Sequence, residues 1–400
     1  MKILQINSVF RNGSTGKLAA SLHDFFRAQG IESVVCYGRK RSPAEPGVYK
    51  ISSEWEAKLH SLLSRLFSVD FGYSPLATRR LIHMIRSQRP DIVHLHCLNA
   101  HFVNVYRLLN FLKKEKIPTV LTLHAEIMHT AGCEHAGTCE KWRTACTRCK
   151  RIEGKISRFF RDDAAHCYRK MQRAVDGFGT LTAVGVSDWL TERARHSPIF
   201  RDVPCVTVLN GVNTEIFRYA DPNELRRRLN ISEENILLHV TPNFNHPIKG
   251  GRYVLELAER MPDCRFLIVG FNGDPTALPA NVTPVARTQD QKELAAYYSL
   301  ADVTLLTSKR ETFSMITAES LCCGTPVAGF LAGAPETFAL TEGSGFVPFG
   351  DVAGLERVVR GFLAAPPDKA TLSRTACDRY ADRVMAEGYL ALYHSVQNND

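Results

Sequence analysis

The sequence contains no long apolar run. Its longest stretch without a formally charged residue, residues 320–335, is interrupted by Gly324, Pro326, Gly329 and Gly333. A membrane-spanning helix needs about 18 to 20 consecutive, mostly apolar residues, so we expect no span across a bilayer. The N-terminus also lacks the apolar core of a signal peptide, because polar residues at positions 5 and 7 interrupt the first apolar run. These absences predict a protein of the cytosol.

Low-complexity segments and sequence repeats are absent as well. Charged residues make up 23% of the chain and apolar residues 44%, and the 19 prolines are spread along it. This composition excludes a disordered, collagen-like or coiled-coil protein and supplies the side chains for sizeable cores. For 400 residues, a typical domain of roughly 150 residues predicts two or three domains.

Charge is divided unequally between the two halves. Residues 1–200 carry 31 Lys and Arg against 17 Asp and Glu, whereas residues 201–400 carry 19 against 24. A basic half attracts anionic partners such as lipid headgroups, lipid phosphates or nucleic acid. We therefore expect the two halves to meet different partners.

Apolar runs alternate with helical patterns along the whole chain, as expected for buried parallel strands. The predicted strands are residues 2–7, 33–37, 91–96, 119–124, 180–186, 236–241, 264–269, 301–306 and 326–330. The pattern predicts two doubly wound α/β domains, residues 1–205 and 206–384, with a C-terminal helix of about residues 385–400 that packs back on the first. Because ligands of such sheets bind outside the carboxyl ends of the strands, we expect the site in the cleft between the domains.

The most specific motif is a pair of glutamates in the second half. Glu311 follows the strand predicted at 301–306, and Glu319 lies two turns into the next helix, shortly before Cys-Gly-Thr-Pro-Val. Two carboxylates at that spacing can accept hydrogen bonds from two different parts of one ligand. An exposed pair of carboxylates at a helix end is the structural alternative.

This segment resembles the E-x7-E signature of retaining, nucleotide-sugar-dependent glycosyltransferases of the GT-B fold, family 4. The resemblance covers nearly the whole chain and is strongest to transferases of exopolysaccharide and colanic-acid type with a Cys-rich insertion. It implies two Rossmann-like domains that face a central cleft, with Glu311 on the transferred sugar and Glu319 on the nucleotide ribose. It also implies that Thr312, Phe313 and Ser314, at the start of the helix, bring backbone N–H groups and the positive dipole end to a pyrophosphate.

A second family segment precedes Gly250. Lys249 resembles the lysine that neutralises the leaving diphosphate, whereas Asn243 stands where the family usually has an arginine. This departure removes one fixed positive charge, which Arg252 or Arg287 is expected to replace. The alternative for Lys249 is a solvated loop lysine.

The N-terminal half carries weaker matches to the family. Residues 12–16 resemble its glycine-rich loop, in which Gly16 lets the backbone approach the donor, although an ordinary turn has the same pattern. His124, at a strand end, resembles the histidine that contacts the transferred sugar. His94 and His96 share one face of a predicted strand, and we expect structural roles for both, with a position at the cleft as the alternative.

The resemblance implies retaining transfer of a hexose-type sugar from a UDP- or GDP-sugar to a saccharide or polyprenyl-diphosphate-linked acceptor, in surface-polysaccharide assembly. Since bond cleavage leaves negative charge on the diphosphate, positioning and electrostatic stabilisation should carry the reaction. No Asp-x-Asp follows a strand, and Asp162 and Asp163 lie in a basic helical pattern, so no divalent ion is expected to be obligatory. Two rivals are a nucleotide-sugar epimerase of the same architecture and a zinc-stabilised nucleic-acid-binding protein; the leading hypothesis needs no nucleic acid.

Four of the twelve cysteines lie within 17 residues, at Cys133, Cys139, Cys146 and Cys149. Without an export signal, reduced thiols are expected, and four thiolates suit tetrahedral zinc. A structural zinc site is the leading interpretation. Unliganded thiols and a disulfide or cluster are the alternatives.

Apolar side chains at helical spacing recur between residues 55 and 67, with Lys58 and Arg65 off the apolar face. Such a helix suits an anionic membrane surface, where a polyprenyl-diphosphate acceptor is embedded. The alternative is a helix that packs on the N-terminal sheet. A second basic stretch covers residues 155–173.

Overall fold

The computed structural model describes residues 1–67, 69, 71–147, 149, 164–231 and 235–397. The chain divides into an N-terminal unit of residues 1–209 and 385–400 and a C-terminal unit of residues 210–384. No helix within the described ranges is long and apolar enough to cross a bilayer. Asp162, Asp163 and the first part of the basic stretch at 155–173 lie outside the described residues.

The described part of the N-terminal unit contains a parallel sheet of seven strands in the order β3-β2-β1-β4-β5-β6-β7. The strands are β1 (Lys2–Asn7), β2 (Glu32–Tyr37), β3 (Val48–Lys50), β4 (Ile92–Leu95), β5 (Thr119–Leu123), β6 (Leu181–Gly185) and β7 (Cys205–Thr207). The helices are α1 (Gly13–Ala28), α2 (Glu54–Phe67), α3 (Pro75–Gln88), α4 (Val105–Lys114), α5 (Ile127–Thr130), α6 (Ala164–Val175) and α7 (Asp188–Arg195).

Apolar side chains four residues apart cover one face of this sheet. On α1, Leu18, Leu22 and Phe26 form one buried row. On the C-terminal helix, Tyr389 and Tyr393 belong to the same core. Since residues at this spacing lie on one side of a helix, both helices pack on the sheet through an apolar stripe.

The C-terminal unit contains a second parallel sheet, with six strands among its described residues in the order β10-β9-β8-β11-β12-β13. The strands are β8 (Ile236–Val240), β9 (Arg265–Val269), β10 (Val282–Val285), β11 (Val303–Leu306), β12 (Val327–Phe330) and β13 (Ser344–Val347). The helices are α8 (Asn223–Arg228), α9 (Gly251–Arg260), α10 (Gln291–Leu300), α11 (Met315–Cys322), α12 (Pro335–Phe338), α13 (Val352–Ala364), α14 (Lys369–Tyr380) and α15 (Asp382–Gln397), which continues into the N-terminal unit.

All nine predicted strands are present, and the prediction of two doubly wound parallel sheets is confirmed. The four strands that the sequence did not predict are β3, β7, β10 and β13. Each of these lies at an outer edge of its sheet.

Candidate functional site

The C-terminal sheet reverses its winding direction between β8 and β11, which are hydrogen-bonded neighbours. In open α/β sheets, ligands bind outside the carboxyl ends of the strands at such a reversal. Six of the eleven residues predicted for catalysis and donor binding lie in the two segments that follow these strands, residues 241–250 and 307–314. The topology therefore favours this end of the sheet as the candidate site.

Backbone contacts hold Lys249 against the segment that follows β11. The Thr307 hydroxyl donates a hydrogen bond to the Lys249 carbonyl (2.9 Å), and the Lys309 N–H donates to the Ile248 carbonyl (2.8 Å). Gly250 has a φ of +68°, and a Cβ placed there would lie 2.1 Å from the Thr307 carbonyl oxygen. Only glycine permits this approach, which fixes the position of the lysine backbone.

Lys249 and Glu311 form an ion pair at this point. The lysine Nζ lies 2.8 Å from the glutamate Oε1, and the two side chains are partly exposed, by 26% and 16%. The Glu311 N–H donates to the Ala332 carbonyl (2.9 Å), and the Glu311 carbonyl accepts from the Ala334 N–H (3.2 Å). Glu311 is thus fixed between the segments that follow β11 and β12, and a cation and a carboxylate meet at the reversal.

Ser314 caps the helix that follows Glu311. It has a φ of +85°, and its hydroxyl accepts a hydrogen bond from the Thr317 N–H (3.3 Å). A left-handed conformation is rare for serine and is found most often at functional sites. Phe313 is buried and Thr312 is partly buried. The first N–H groups of α11 and its positive dipole end therefore lie directly after Glu311 along the chain.

Glu319, on the second turn of α11, receives a hydrogen bond from a buried tyrosine of α10. The Tyr298 hydroxyl lies 3.2 Å from the glutamate Oε2. Burial, together with the negative charge of Glu319, raises the pKa of Tyr298 well above its usual value, so the phenol stays protonated and donates. The sequence analysis missed Tyr298, because a tyrosine in a buried helical pattern indicates core packing.

Other predicted donor-binding residues have different neighbours. The Asn243 Oδ1 accepts a hydrogen bond from the Asn272 side chain (3.1 Å). The Arg252 guanidinium bonds the Tyr253 hydroxyl (2.6 Å) and lies over its ring. Arg287 follows β10, two strands away from β8, which is roughly 10 Å at the usual strand spacing. The expected role of Arg287 at the diphosphate stays a prediction.

In the N-terminal unit, the partly buried His124 lies at the end of a line of polar side chains whose other members, Gln5 and His96, are buried. The His96 ring lies between Gln5 and His124. Its Nε2 lies 3.1 Å from the Gln5 Oε1, and its Nδ1 lies 3.3 Å from the His124 Nε2. Burial lowers the pKa of His124 to about 4 and that of His96 well below its usual value. Both rings are therefore uncharged at neutral pH and present one donor and one acceptor nitrogen each.

His94 is fully buried, and both of its ring nitrogens have partners. Nε2 lies 2.7 Å from the Thr122 hydroxyl and Nδ1 lies 2.6 Å from the Tyr393 hydroxyl on α15. Burial lowers the pKa of His94 well below its usual value. These contacts support the structural role expected for this histidine.

Gly16 lies in the first turn of α1 and is buried. Its carbonyl accepts a hydrogen bond from the Arg11 N–H (3.0 Å), and a Cβ added to Gly16 would lie 3.1 Å from a Val9 methyl group. Close packing within the preceding loop therefore accounts for a small residue here. Its proposed contact with a donor stays a prediction.

The four clustered cysteines differ in environment. Cys133 and Cys146 are buried, whereas Cys139 and Cys149 are partly exposed. Within the part of the chain that the structure describes, no group of three or more His, Cys, Asp or Glu side chains is arranged to hold a metal ion. The four thiols are therefore not arranged as a tetrahedral site in this structure. The structural zinc stays a prediction, and metal analysis of the reduced protein would test it.

A buried ion pair anchors the cysteine-containing segment. Glu126 is fully buried, and its carboxylate contacts Arg193 (2.6 Å) and accepts from the Ala136 N–H (2.8 Å). Burial alone would raise the pKa of Glu126. The contact with His129, 3.7 Å away, and the charge of Arg193 outweigh burial and lower the pKa to about 2. Sequence analysis missed this pair, because 67 residues separate its members.

Two family models match the chain. The model for Glycosyltransferase Family 4 matches residues 15–216, and the model for Glycosyl transferases group 1 matches residues 234–373. A relative similar over its full length is WcaC of Escherichia coli strain K12, a glycosyl transferase assigned by its name to colanic acid biosynthesis. It is 24% identical over 417 residues, which cover 99% of this chain and 100% of the relative. A D-inositol 3-phosphate glycosyltransferase of Streptosporangium roseum is 32% identical over 43% of this chain and 44% of its own length.

Solved structures share the fold over the whole chain. Sucrose-phosphate synthase from Thermosynechococcus elongatus has a TM-score of 0.68 at 16% identity, with 100% of both chains covered. Anabaena HepE, solved in complex with UDP-glucose, has a TM-score of 0.64 at 13% identity, with 99% of this chain and 100% of HepE covered. The fold is GT-B, and the chain belongs to Glycosyltransferase Family 4.

Proposed function

We propose that this glycosyltransferase transfers a hexose-type sugar from a UDP- or GDP-sugar, with retention, to a saccharide or lipid-linked acceptor in surface-polysaccharide assembly. The observation that carries the proposal is the contact between Lys249 and Glu311 at the reversal point of the C-terminal sheet. The UDP-glucose complex of HepE and the name of WcaC support the donor class and the pathway class. Family membership favours this function over an epimerase or a nucleic-acid-binding protein.

In this proposal, each site residue meets one part of the donor. Glu311 accepts hydrogen bonds from the transferred sugar, and Glu319 accepts them from the ribose. Lys249 and the N-terminus of α11 offset the negative charge that develops on the diphosphate. His124 stays the predicted contact to the transferred sugar, and its uncharged imidazole suits this role because it both donates to and accepts from hydroxyl groups.

Nucleotide binding tests the donor class directly. UDP, GDP, ADP and their sugars are compared by thermal shift, because a ligand that binds the native state preferentially raises the melting temperature. We expect UDP or GDP and the matching sugar nucleotide to give the largest increase, and transfer to continue in EDTA. No increase with any nucleotide would contradict the proposal.

We also propose that helix α2 rests on an anionic membrane surface. The side chain of Trp55 is 80% exposed. Exposed apolar side chains continue along the helix at Leu59, Leu62, Leu66 and Phe67. The buried positions are instead Ala57, His60 and Ser64. The helix therefore packs through small and polar side chains and leaves most of its apolar row exposed, which supports the proposed membrane contact.

The charges around α2 suit an anionic surface. Its two acidic residues, Glu54 and Glu56, are paired with Arg39 and Arg80, each at 2.8 Å. The Lys58 ammonium lies 5.2 Å from the centre of the Trp55 ring. The helix thus presents an apolar row beside a cation, while its carboxylates are neutralised, which is the arrangement that binds anionic headgroups.

A further inference from the structure

We infer that Tyr298 is a positioning residue for donor binding, because its hydroxyl holds the Glu319 carboxylate in the orientation that meets the ribose. The inference rests on the proposed role of Glu319. Tyr298 itself is completely buried, so it acts on the nucleotide through the glutamate.

Several contacts fix the tyrosine independently of Glu319. Tyr298 lies on α10, and its backbone carbonyl accepts a hydrogen bond from the Thr325 hydroxyl (2.6 Å). Its ring packs edge-on against Phe217, with 6.2 Å between ring centres. Because the phenol cannot move with the glutamate, the 3.2 Å contact between its hydroxyl and Oε2 restrains the carboxylate, not the tyrosine.

The chemistry of the carboxylate explains why such a restraint helps. The last torsion of a glutamate side chain is broad and loosely defined, and Glu319 is only partly buried. An ionised carboxylate has about four acceptor positions on two oxygens. When the phenol takes one of these positions, the plane of the carboxylate is fixed, so less side-chain freedom is lost when ribose hydroxyls bind.

A purely structural role predicts a different outcome. The hydroxyl of Tyr298 is buried and needs an acceptor wherever it lies, so its removal alters stability under either interpretation. Only a positioning role predicts that removal of the Tyr298 hydroxyl weakens binding of a nucleotide with ribose hydroxyls and leaves binding of a nucleotide without them unchanged. The decisive measurement is therefore the affinity for matched nucleotides with and without those hydroxyls.

The experiment compares Tyr298→Phe with the parent protein by titration calorimetry, with UDP and 2′,3′-dideoxy-UDP, or with the GDP pair if the parent prefers guanine. We expect Tyr298→Phe to weaken ribonucleotide binding about 3- to 10-fold, the usual cost of ordering one side chain when a ligand binds. Binding of the dideoxynucleotide should be unchanged. The matched control is Tyr380→Phe, which removes another buried hydroxyl of the same unit, bonded to the Phe338 carbonyl at 2.7 Å, and should bind both nucleotides as the parent does.

Equal affinities of Tyr298→Phe and the parent would overturn the inference, and so would an equal loss for both nucleotides. A parent protein that does not distinguish the ribonucleotide from the dideoxynucleotide would instead overturn the role of Glu319 itself. As a second readout, Tyr298→Phe added to Glu319→Gln should cost little further affinity, because residues that act as a unit are not additive. Fully additive losses would contradict the inference.

Discussion

Lys249 and Glu311, 62 residues apart in the chain, meet with 2.8 Å between Nζ and Oε1. The adjacency of β8 and β11 brings their segments together, and Gly250 allows the final close approach. Each charge compensates the other. A diphosphate that binds here would therefore contact a lysine side chain that the Glu311 carboxylate already holds in position.

Replacement of either partner should abolish transfer without unfolding the protein. We expect Glu311→Gln and Lys249→Met each to lower kcat/KM by about 100-fold or more, the usual effect of removing one electrostatic contact at a reacting centre. The melting temperature should change little, because a partly exposed pair contributes about 1 kcal/mol or less. The matched controls, Glu259→Gln and Lys292→Met, alter exposed residues and should retain activity. Turnover near the parent value in both site variants would contradict the assignment.

The α2 surface predicts binding to anionic vesicles. In co-sedimentation, the parent should bind vesicles that contain phosphatidylglycerol more strongly than vesicles of phosphatidylcholine, and added salt should weaken binding. Trp55→Ser should weaken it by about tenfold, since one large apolar side chain no longer enters the bilayer. The control is Leu331→Ser, which removes an exposed leucine of the C-terminal unit. Absence of binding by the parent, or equal binding by Trp55→Ser, would contradict the proposed membrane contact.

Loss of Arg193 should destabilise the protein strongly. Arg193→Met leaves the fully buried Glu126 without its cation, and an uncompensated buried charge costs about 3 to 5 kcal/mol. Urea unfolding followed by tryptophan fluorescence measures this loss, because all three tryptophans lie in the N-terminal unit. The control Arg86→Met breaks an exposed pair with Glu115 and should cost about 0.5 kcal/mol. Adding Glu126→Gln should restore part of the stability lost in Arg193→Met; equal effects of Arg193→Met and Arg86→Met would contradict the argument.

His239 predicts a pH dependence of stability in the C-terminal unit. The pKa of His239 is lowered to about 4, mainly because the ring is buried. The hydrogen bond to the Leu305 carbonyl raises the pKa, and the positive charge of Lys249 lowers it further. The unfolded chain, with a histidine pKa of about 6.5, therefore binds more protons between about pH 6.5 and pH 4. Stability from His239 is present above this window and is lost as the pH falls through it.

His239→Gln removes this titration. As the pH falls below about 6.5, the parent should lose stability relative to the variant. Calorimetric unfolding should show this difference in the free energy of unfolding growing by about 1.4 kcal/mol per pH unit. A difference between the two proteins that does not change with pH would contradict the prediction.

The sequence predicted the inner strands but not the outer ones, for a physical reason. Inner strands such as β11 and β12 are buried along their whole length and consist mostly of apolar residues. The edge strands are three or four residues long, and β13 is only partly buried throughout. Short segments with mixed polarity have no periodicity that distinguishes them from loops.

The site could be predicted only where a local motif carried it. Glu311 and Lys249 belong to such motifs, whereas Tyr298 and Gln5 act through contacts to distant segments that no local pattern reveals. Helix α2 shows a related limit. Its periodicity predicted an apolar face but not whether that face meets the sheet or the solvent, because this depends on what the other face can pack against.

The two ends of the C-terminal unit are tied to each other. The Val212 N–H donates to the Tyr380 carbonyl (2.7 Å), and the Asp382 N–H donates to the Val212 carbonyl (2.8 Å). Residues 210–384 thus form an insertion that leaves and re-enters the chain at neighbouring points. Such a segment is suited to excision as an independent polypeptide, whereas the N-terminal unit, assembled from two separate stretches, would require a new linker from Leu209 to Met385.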